Sequence, residues 1–278
     1  MARSTWLITG ASSGLGLALA RHALDHGDRV VLAARTLAPM RALADAYPDT
    51  AEAVVLDVTD AAQRSAAISR TYERFGPLDI LVNNAGIDYL GAIEEQDEAD
   101  YRRIFEVNFF GAVALLRLAL PGMRARGRGV IANMSSMDGL ASLAANGYYS
   151  SSKFALEGLT EALWQEIAPL GLTATLIEPG SFRTGIESRT RFSGPTIEAY
   201  EATSGAFRLA MENTGDAMFP GDPVLAAGVI FDVLTSQAIP QRLILGSDAH
   251  QRIATKLTKL SDEHQAGREL AYSTDFAP

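Results

Sequence analysis

The chain has 278 residues, 47% of them hydrophobic, with 33 Asp and Glu against 24 Lys and Arg, a formal charge of −9 and no cysteine. That length fits one full-sized α/β domain or two small ones. The missing thiol excludes a disulfide scaffold, a cysteine-ligated zinc, an iron–sulfur cluster and a thiol nucleophile, and the acidic balance argues against a nucleic-acid binder, which needs a basic footprint.

Short β-branched or aliphatic runs alternate with longer amphipathic stretches, the pattern of βαβ units and a parallel sheet. At the start, Trp6-Leu7-Ile8 is too short for the apolar core of a signal peptide and runs into a Gly-rich turn, so it reads as a strand. Strands are predicted near 5–9, 29–34, 53–57, 78–82, 129–134, 172–178 and 242–246. Helices are predicted near 14–27, 38–47, 60–75, 98–126, 147–169, 222–236 and 248–260. No window of ~18 apolar residues is free of charge, so no membrane span is expected and the cytoplasm is the default location. No repeat, low-complexity tract or linker interrupts the alternation, which predicts a single domain over 1–278. The rhythm lapses only over 181–220, where an insertion this long in an α/β domain reads as a lid.

The first strand ends in Thr9-Gly10-Ala11-Ser12-Ser13-Gly14-Leu15-Gly16, and an amphipathic helix carrying Leu17, Leu19, Ala20, Ala23 and Leu24 follows at once. Glycines let the backbone turn tightly and approach a pyrophosphate, while the helix N-terminus offers N–H donors and partial positive charge. The turn therefore predicts a dinucleotide site formed by Gly10, Ser12, Ser13, Gly14, Leu15 and Gly16. Its Gly spacing of three then one differs from the general G-x-G-x-x-G fingerprint.

Further landmarks follow in order: Asp57-Val58, Asn83-Asn84-Ala85-Gly86, Asn108, Ser136, Tyr149 with Lys153, and Pro179-Gly180. On these motifs, over about residues 4–185 and more loosely 240–247, the chain resembles the short-chain dehydrogenase/reductase family. The stretches NNAGIDYLGAIEE, VNFFGAV, SKFALEGLTEAL and IEPGSFRT look most like a bacterial branch related to 17β-hydroxysteroid dehydrogenases. The resemblance implies a single-domain Rossmann fold, a doubly wound parallel seven-stranded sheet with helices on both faces and a substrate lid near 181–220. It divides the chain into a cofactor half, about 1–145, and a catalytic and substrate half, about 146–278.

The second strand ends at Ala34 without an acidic residue to bond an adenosine ribose and repel a 2′-phosphate, and Arg35 follows. A guanidinium there grips a phosphate and stacks on adenine, so NADP(H) is expected over NAD(H), with NAD(H) possible. The resemblance places Asp57 and Val58 beside adenine, the carboxylate accepting from its amino group. It places Asn84, Ala85, Gly86 and Val107 along the cofactor, and Pro179, Gly180, Phe182 and Thr184 near the nicotinamide amide or pyrophosphate.

Tyr149 and Lys153 stand at i, i+4 on a predicted helix, so phenol and ammonium stack on one face, while Tyr148 points about 100° away. A tyrosine titrating near ~10 needs lowering by about 2–3 units, roughly 3–4 kcal/mol, to exchange protons near neutrality. One ammonium at about 4 Å in an effective dielectric of ~20 supplies ~4 kcal/mol, so Lys153 is expected to acidify the phenol. The chain has three lysines and otherwise writes Arg, which marks Lys153 as a place where a compact ammonium is needed. The resemblance adds Ser136, which would hold the substrate oxygen, with Ser135 its rival. It also adds Asn108, whose helix-interior position suggests a local kink exposing a carbonyl to a water that serves Lys153.

These residues imply an oxidoreductase exchanging hydride between NADP(H) and a carbonyl or secondary alcohol, with Tyr149 as general acid/base. The alternatives are a non-catalytic NAD(P)-binding sensor on the same fold, or an epimerase or dehydratase, whose larger substrate domain finds little room here. Met137, Leu143, Phe182 and Ile186, with Ser136 and Tyr149, are expected to touch a hydrophobic or aromatic small molecule. The lid arginines Arg183, Arg189, Arg191 and Arg208 leave a carboxylated one open. His22 and His26 are read as a solvated face, and no metal site is expected. The apolar helices 98–126 and 147–169 suggest, by the resemblance, a homodimer or homotetramer.

Overall fold

The computed structural model describes residues 3–185, 190–213 and 218–276. Its first strand, β1 (Thr5–Thr9), is buried along its whole length. Alternate side chains feed two separate cores: Trp6 and Ile8 enter one, Leu7 the other. A strand covered on both faces needs such a continuous apolar run.

The remaining elements follow in chain order: α1 (Gly14–Asp25), β2 (Arg29–Ala34), α2 (Ala38–Ala46), β3 (Ala51–Val55), α3 (Ala61–Phe75), β4 (Ile80–Asn83) and β5 (Tyr89–Leu90). Next come α4 (Glu98–Phe105), α5 (Gly111–Arg126), β6 (Val130–Met134), α6 (Gly147–Ile167), β7 (Thr173–Pro179) and β8 (Arg191–Phe192). The chain continues with α7 (Ala206–Asn213), α8 (Pro223–Thr235), β9 (Arg242–Leu245), α9 (Ser247–Ala266) and α10 (Arg268–Tyr272).

Seven strands pair in parallel in the order β3-β2-β1-β4-β6-β7-β9. Leu19, Ala20 and Ala23 of α1 meet Ala226, Ile230 and Leu234 of α8 in the core on one face. Ala67 and Phe75 of α3, Leu115 and Ala119 of α5, and Leu163 and Ile167 of α6 fill the other. The doubly wound, single-domain Rossmann architecture is therefore the one expected. Strand order reverses at β1 and β4, and in open α/β sheets the crevice beyond the strands' carboxyl ends at such a point is where ligands bind.

Two expectations need correction. The third strand starts at Ala51, not 53, because Ala51 pairs with Val30 and the Val30 amide already donates to the Thr50 carbonyl at 2.7 Å. The single helix over 98–126 is two α-helices separated by a π-helical turn at Glu106–Phe110. The same stretch is long and apolar enough, by length and composition, to cross a membrane, yet it lies against the sheet with Ile104, Leu115, Leu116 and Met123 buried.

The expected lid carries more structure than its sequence suggests. A second, two-stranded sheet pairs Tyr89 with Arg191 and Leu90 with Phe192. Ser193 donates to Asp100 at 2.6 Å and the Ile197 amide to Glu95 at 2.8 Å. The region is thus fastened to the segment after β4.

Candidate active site

Thr9, at the end of β1, organises the turn. Its hydroxyl accepts the amides of Asn84 and Ala85, both at 2.9 Å, and donates to the Val82 carbonyl at 3.3 Å. The Asn84 side chain in turn donates to the Thr9 carbonyl at 2.8 Å. Glycine is required by this closeness: a Cβ on Gly16 would fall 2.4 Å from Asn84 Nδ2 and 2.7 Å from the Gly10 carbonyl oxygen. Gly10 and Gly14 have φ of 66° and 58°, left-handed values that favour glycine. Helix α1 begins with no side-chain cap and no acidic residue in its first turn. Its leading amides and partial positive charge therefore suit an anion such as a pyrophosphate. Asn84 is a brace for this cradle rather than a free ligand group.

The proposed proton-transfer residues come together beyond β4 and β6. Ser136 caps a 3₁₀ turn, its hydroxyl accepting the Asp138 amide at 3.1 Å and pointing to Asp138 Oδ2 at 3.5 Å, and it neighbours the Tyr149 phenol. The rivals face elsewhere. Tyr148 donates to the Ile93 carbonyl at 3.2 Å and stacks on Tyr101 at 4.4 Å, while the Ser135 hydroxyl packs against Gly139, where a Cβ would fall 2.5 Å from it, beside Glu157. The π turn presents Asn108, whose side chain clasps Ile87 by accepting its amide at 2.8 Å and donating to its carbonyl at 2.9 Å. Asn108 also donates to Ser152 at 3.2 Å. The expected kink is real, and π turns inside α-helices often mark functional sites.

Lys153 departs from expectation. Its ammonium donates to the Met134 carbonyl at 2.8 Å and lies 5.6 Å from the centre of the Tyr149 ring. Burial lowers it to about 8, against the opposing pull of Glu157, Asp88 and Asp138. The Tyr149 phenol is raised, not lowered: burial and the carboxylates of Asp138 and Asp88 outweigh the neighbouring Ser136 hydroxyl. One ammonium a helical turn away does not offset desolvation and two buried acids.

Asp57 is also placed differently from expectation. Burial pushes its carboxylate up, but Thr59 and Arg103 outweigh that and lower it. Oδ1 already accepts the Thr59 amide and hydroxyl, and Oδ2 the Arg103 guanidinium at 3.0 Å, so at most one lone pair remains for an adenine amino group. Val58 packs against Gly111, where a Cβ would sit 2.7 Å away. Val107 lies within the second core, buried and facing protein. Arg35 is exposed, with no hydrogen bond or ion pair to any described residue, and Ala34 before it is buried.

Beyond β7, Gly180 is explained by a residue the sequence did not flag. A Cβ there would lie 2.2 Å from Asp248 Oδ1, and Asp248 Oδ2 accepts the Ser181 amide at 2.8 Å. The Phe182 side chain is 7% exposed and packs in the first core over Gly221, so it is not a substrate wall. The Thr184 amide donates to the Phe182 carbonyl at 2.8 Å. Met137 is half-buried beside Ser136, Leu143 is 42% exposed, and Ile186 and Arg189 lie outside the described residues. Arg183 donates to the Phe219 carbonyl, and Arg208 lies over Phe192 and near Glu95. These engagements weaken the reading of a carboxylated substrate. His22 and His26 stack on each other at 4.4 Å and meet Phe231 at tilted angles, but His26 is exposed and His22 half-buried, so the pair stands on the solvent side of α1 as expected.

A family model for short chain dehydrogenases matches residues 4–192. The oxidoreductase BOA17 of Botryotinia fuckeliana is 33% identical over 270 residues, covering 97% of this chain and 98% of that one. The crystal structure of a short-chain dehydrogenase from Streptomyces avermitilis superposes with a TM-score of 0.91 at 39% identity, over 99% of both chains. A short-chain dehydrogenase/reductase from Burkholderia phymatum in complex with NAD gives 0.81 at 25% identity, over 95% of both. The fold and the cradle at its switch point define a dinucleotide-binding oxidoreductase, and the chain belongs to the short-chain dehydrogenase/reductase family.

Proposed function

We propose that the protein reduces the carbonyl of a hydrophobic small molecule, or oxidises the corresponding secondary alcohol, with NADP(H) as preferred cofactor and NAD(H) as a poorer one. When bound, the nicotinamide dinucleotide supplies or accepts the hydride. The uncapped start of α1 and the turn at Gly10, Ser12, Ser13, Gly14, Leu15 and Gly16 would hold its pyrophosphate, with Ala85 and Gly86 alongside. Arg35, which follows β2 without a partner among the described residues, would take a 2′-phosphate. NAD binding by the Burkholderia relative supports a dinucleotide of this class.

The juxtaposition of Tyr149, Ser136 and Lys153 carries the reading. Ser136 orients the substrate oxygen, and Tyr149 gives it a proton. A phenol raised by burial and two nearby acids keeps its proton at neutral pH, which suits reduction. Lys153, on the same helix as the Ser152 to which Asn108 donates, would refill that proton. The exposed Phe110, Leu118 and Phe154 support assembly as a homodimer or homotetramer. The test is a screen of ketones, aldehydes and alcohols that follows NADPH and NADH absorbance. Stoichiometric consumption of cofactor with substrate is expected, and binding without consumption would instead identify a sensor.

A further inference from the structure

Asp88 has no part in that proton path, yet it is the conspicuous unsatisfied group of the site. It lies between β4 and β5, and its Oδ1 is buried without a hydrogen-bond partner. Chain on both sides is fixed: Asn108 clasps Ile87, and Tyr89 pairs with Arg191. The carboxyl therefore cannot easily swing out to water. It interacts electrostatically with Asp138, Lys153 and Tyr149, and burial followed by Asp138 raises it to about 7, with the Tyr89 amide and Lys153 opposing. Leaving a buried acceptor unpaired is costly, and such groups concentrate where a ligand completes them.

The surroundings narrow the ligand. Asp138 is not available, since Arg252, Asn146 and Ser136 occupy its oxygens. No cluster of three metal-ligating side chains exists among the described residues. An ammonium would face the Lys153 charge, and a carboxylate would face Asp138. A neutral hydrogen-bond donor meets neither obstacle.

We propose that Asp88 Oδ1 receives a hydroxyl group of the substrate, so that the protein selects hydroxy-ketones or diols over the same skeleton lacking that hydroxyl. This rests on the oxidoreductase reading above. Matched pairs of hydroxy-ketone and deoxy-ketone, assayed with NADPH, test it. The wild type is expected to favour the hydroxylated member by about tenfold or more in kcat/KM, because a site built around a hydroxyl rejects the analogue without one. Asp88→Ala should bring that ratio near one, chiefly through KM of the hydroxylated member. Asp88→Asn, which keeps the shape and an acceptor oxygen, should retain part of it. A wild type with no preference, a ratio unchanged by both substitutions, or equal losses on both members overturns the proposal. A wild type that consumes no NADPH with any carbonyl overturns the oxidoreductase reading and this proposal together.

Discussion

Thr9 shows how a single side chain can hold a binding turn without touching the ligand. Its hydroxyl satisfies two amides on another strand's end. Thr9→Val keeps the shape, removes the acceptor and leaves buried N–H groups unpaired, so a loss of about 1–3 kcal/mol is expected in denaturant unfolding, with Thr9→Ser near wild type. An unchanged midpoint for Thr9→Val would remove the brace from the account. Arg35 lies at the opposite extreme, exposed and without described partners. Arg35→Leu should raise KM for NADPH by about tenfold, the scale of one charge-assisted phosphate contact, and leave KM for NADH nearly unchanged. Equal effects on both would locate the arginine away from the 2′-phosphate. Both residues stand in short, recognisable runs, but only Arg35's role followed from its neighbours in sequence. Thr9 acts on residues 75 and 76 positions away, a relation no local pattern encodes.

At the scale of elements, the first βα turn and the break between α4 and α5 are the informative cases. The glycines were legible because a tight turn into a helix has a sequence signature. Why Gly16 must be glycine was not, since the obstacle is Asn84 from another strand. Gly16→Ala is expected to weaken NADPH binding by about tenfold or more, or ~1.4 kcal/mol, read by fluorescence titration. Wild-type affinity would show that the turn yields or that the pyrophosphate binds elsewhere. Asn108 hinted at a kink through its poor helix propensity, but the periodicity of 98–126 gave no sign that five residues wind as a π turn. Apolar residues continue through the break, and pattern alone reads them as one helix. Phe182 failed for a similar reason: an aromatic residue in a loop reads as a pocket wall until Gly221 is seen to make room for it.

Across the whole molecule, buried acids dominate the electrostatics. Burial pushes the Asp88 carboxyl up to about 7 and raises Glu178 as well. For Glu178, burial and Glu157 outweigh Arg242. Groups raised by folding hold a proton that the unfolded chain releases, so their stabilising contribution is full below about pH 4 and is lost as pH rises through about 7. Asp88→Asn should therefore gain stability relative to wild type between pH 4 and 8 in parallel thermal melts. A difference independent of pH would contradict the burial argument. The parallel βαβ alternation, the single domain and the Tyr149/Lys153 pair were readable from spacing and alternation, while Ser136 and Asn108 entered only through the family resemblance. The acids' influence was not, because Asp138 meets Arg252 across 114 residues and Asp88 meets its neighbours only in space.

The central claim is that the Tyr149 phenol transfers the proton at the reacting oxygen. Its most direct measurement is kcat for NADPH-coupled carbonyl reduction by wild type and by Tyr149→Phe, with cofactor affinity checked in parallel. The account predicts a fall of at least ~10² in kcat, the usual scale of acid–base assistance, with NADPH still bound. Turnover within a few-fold of wild type would contradict it.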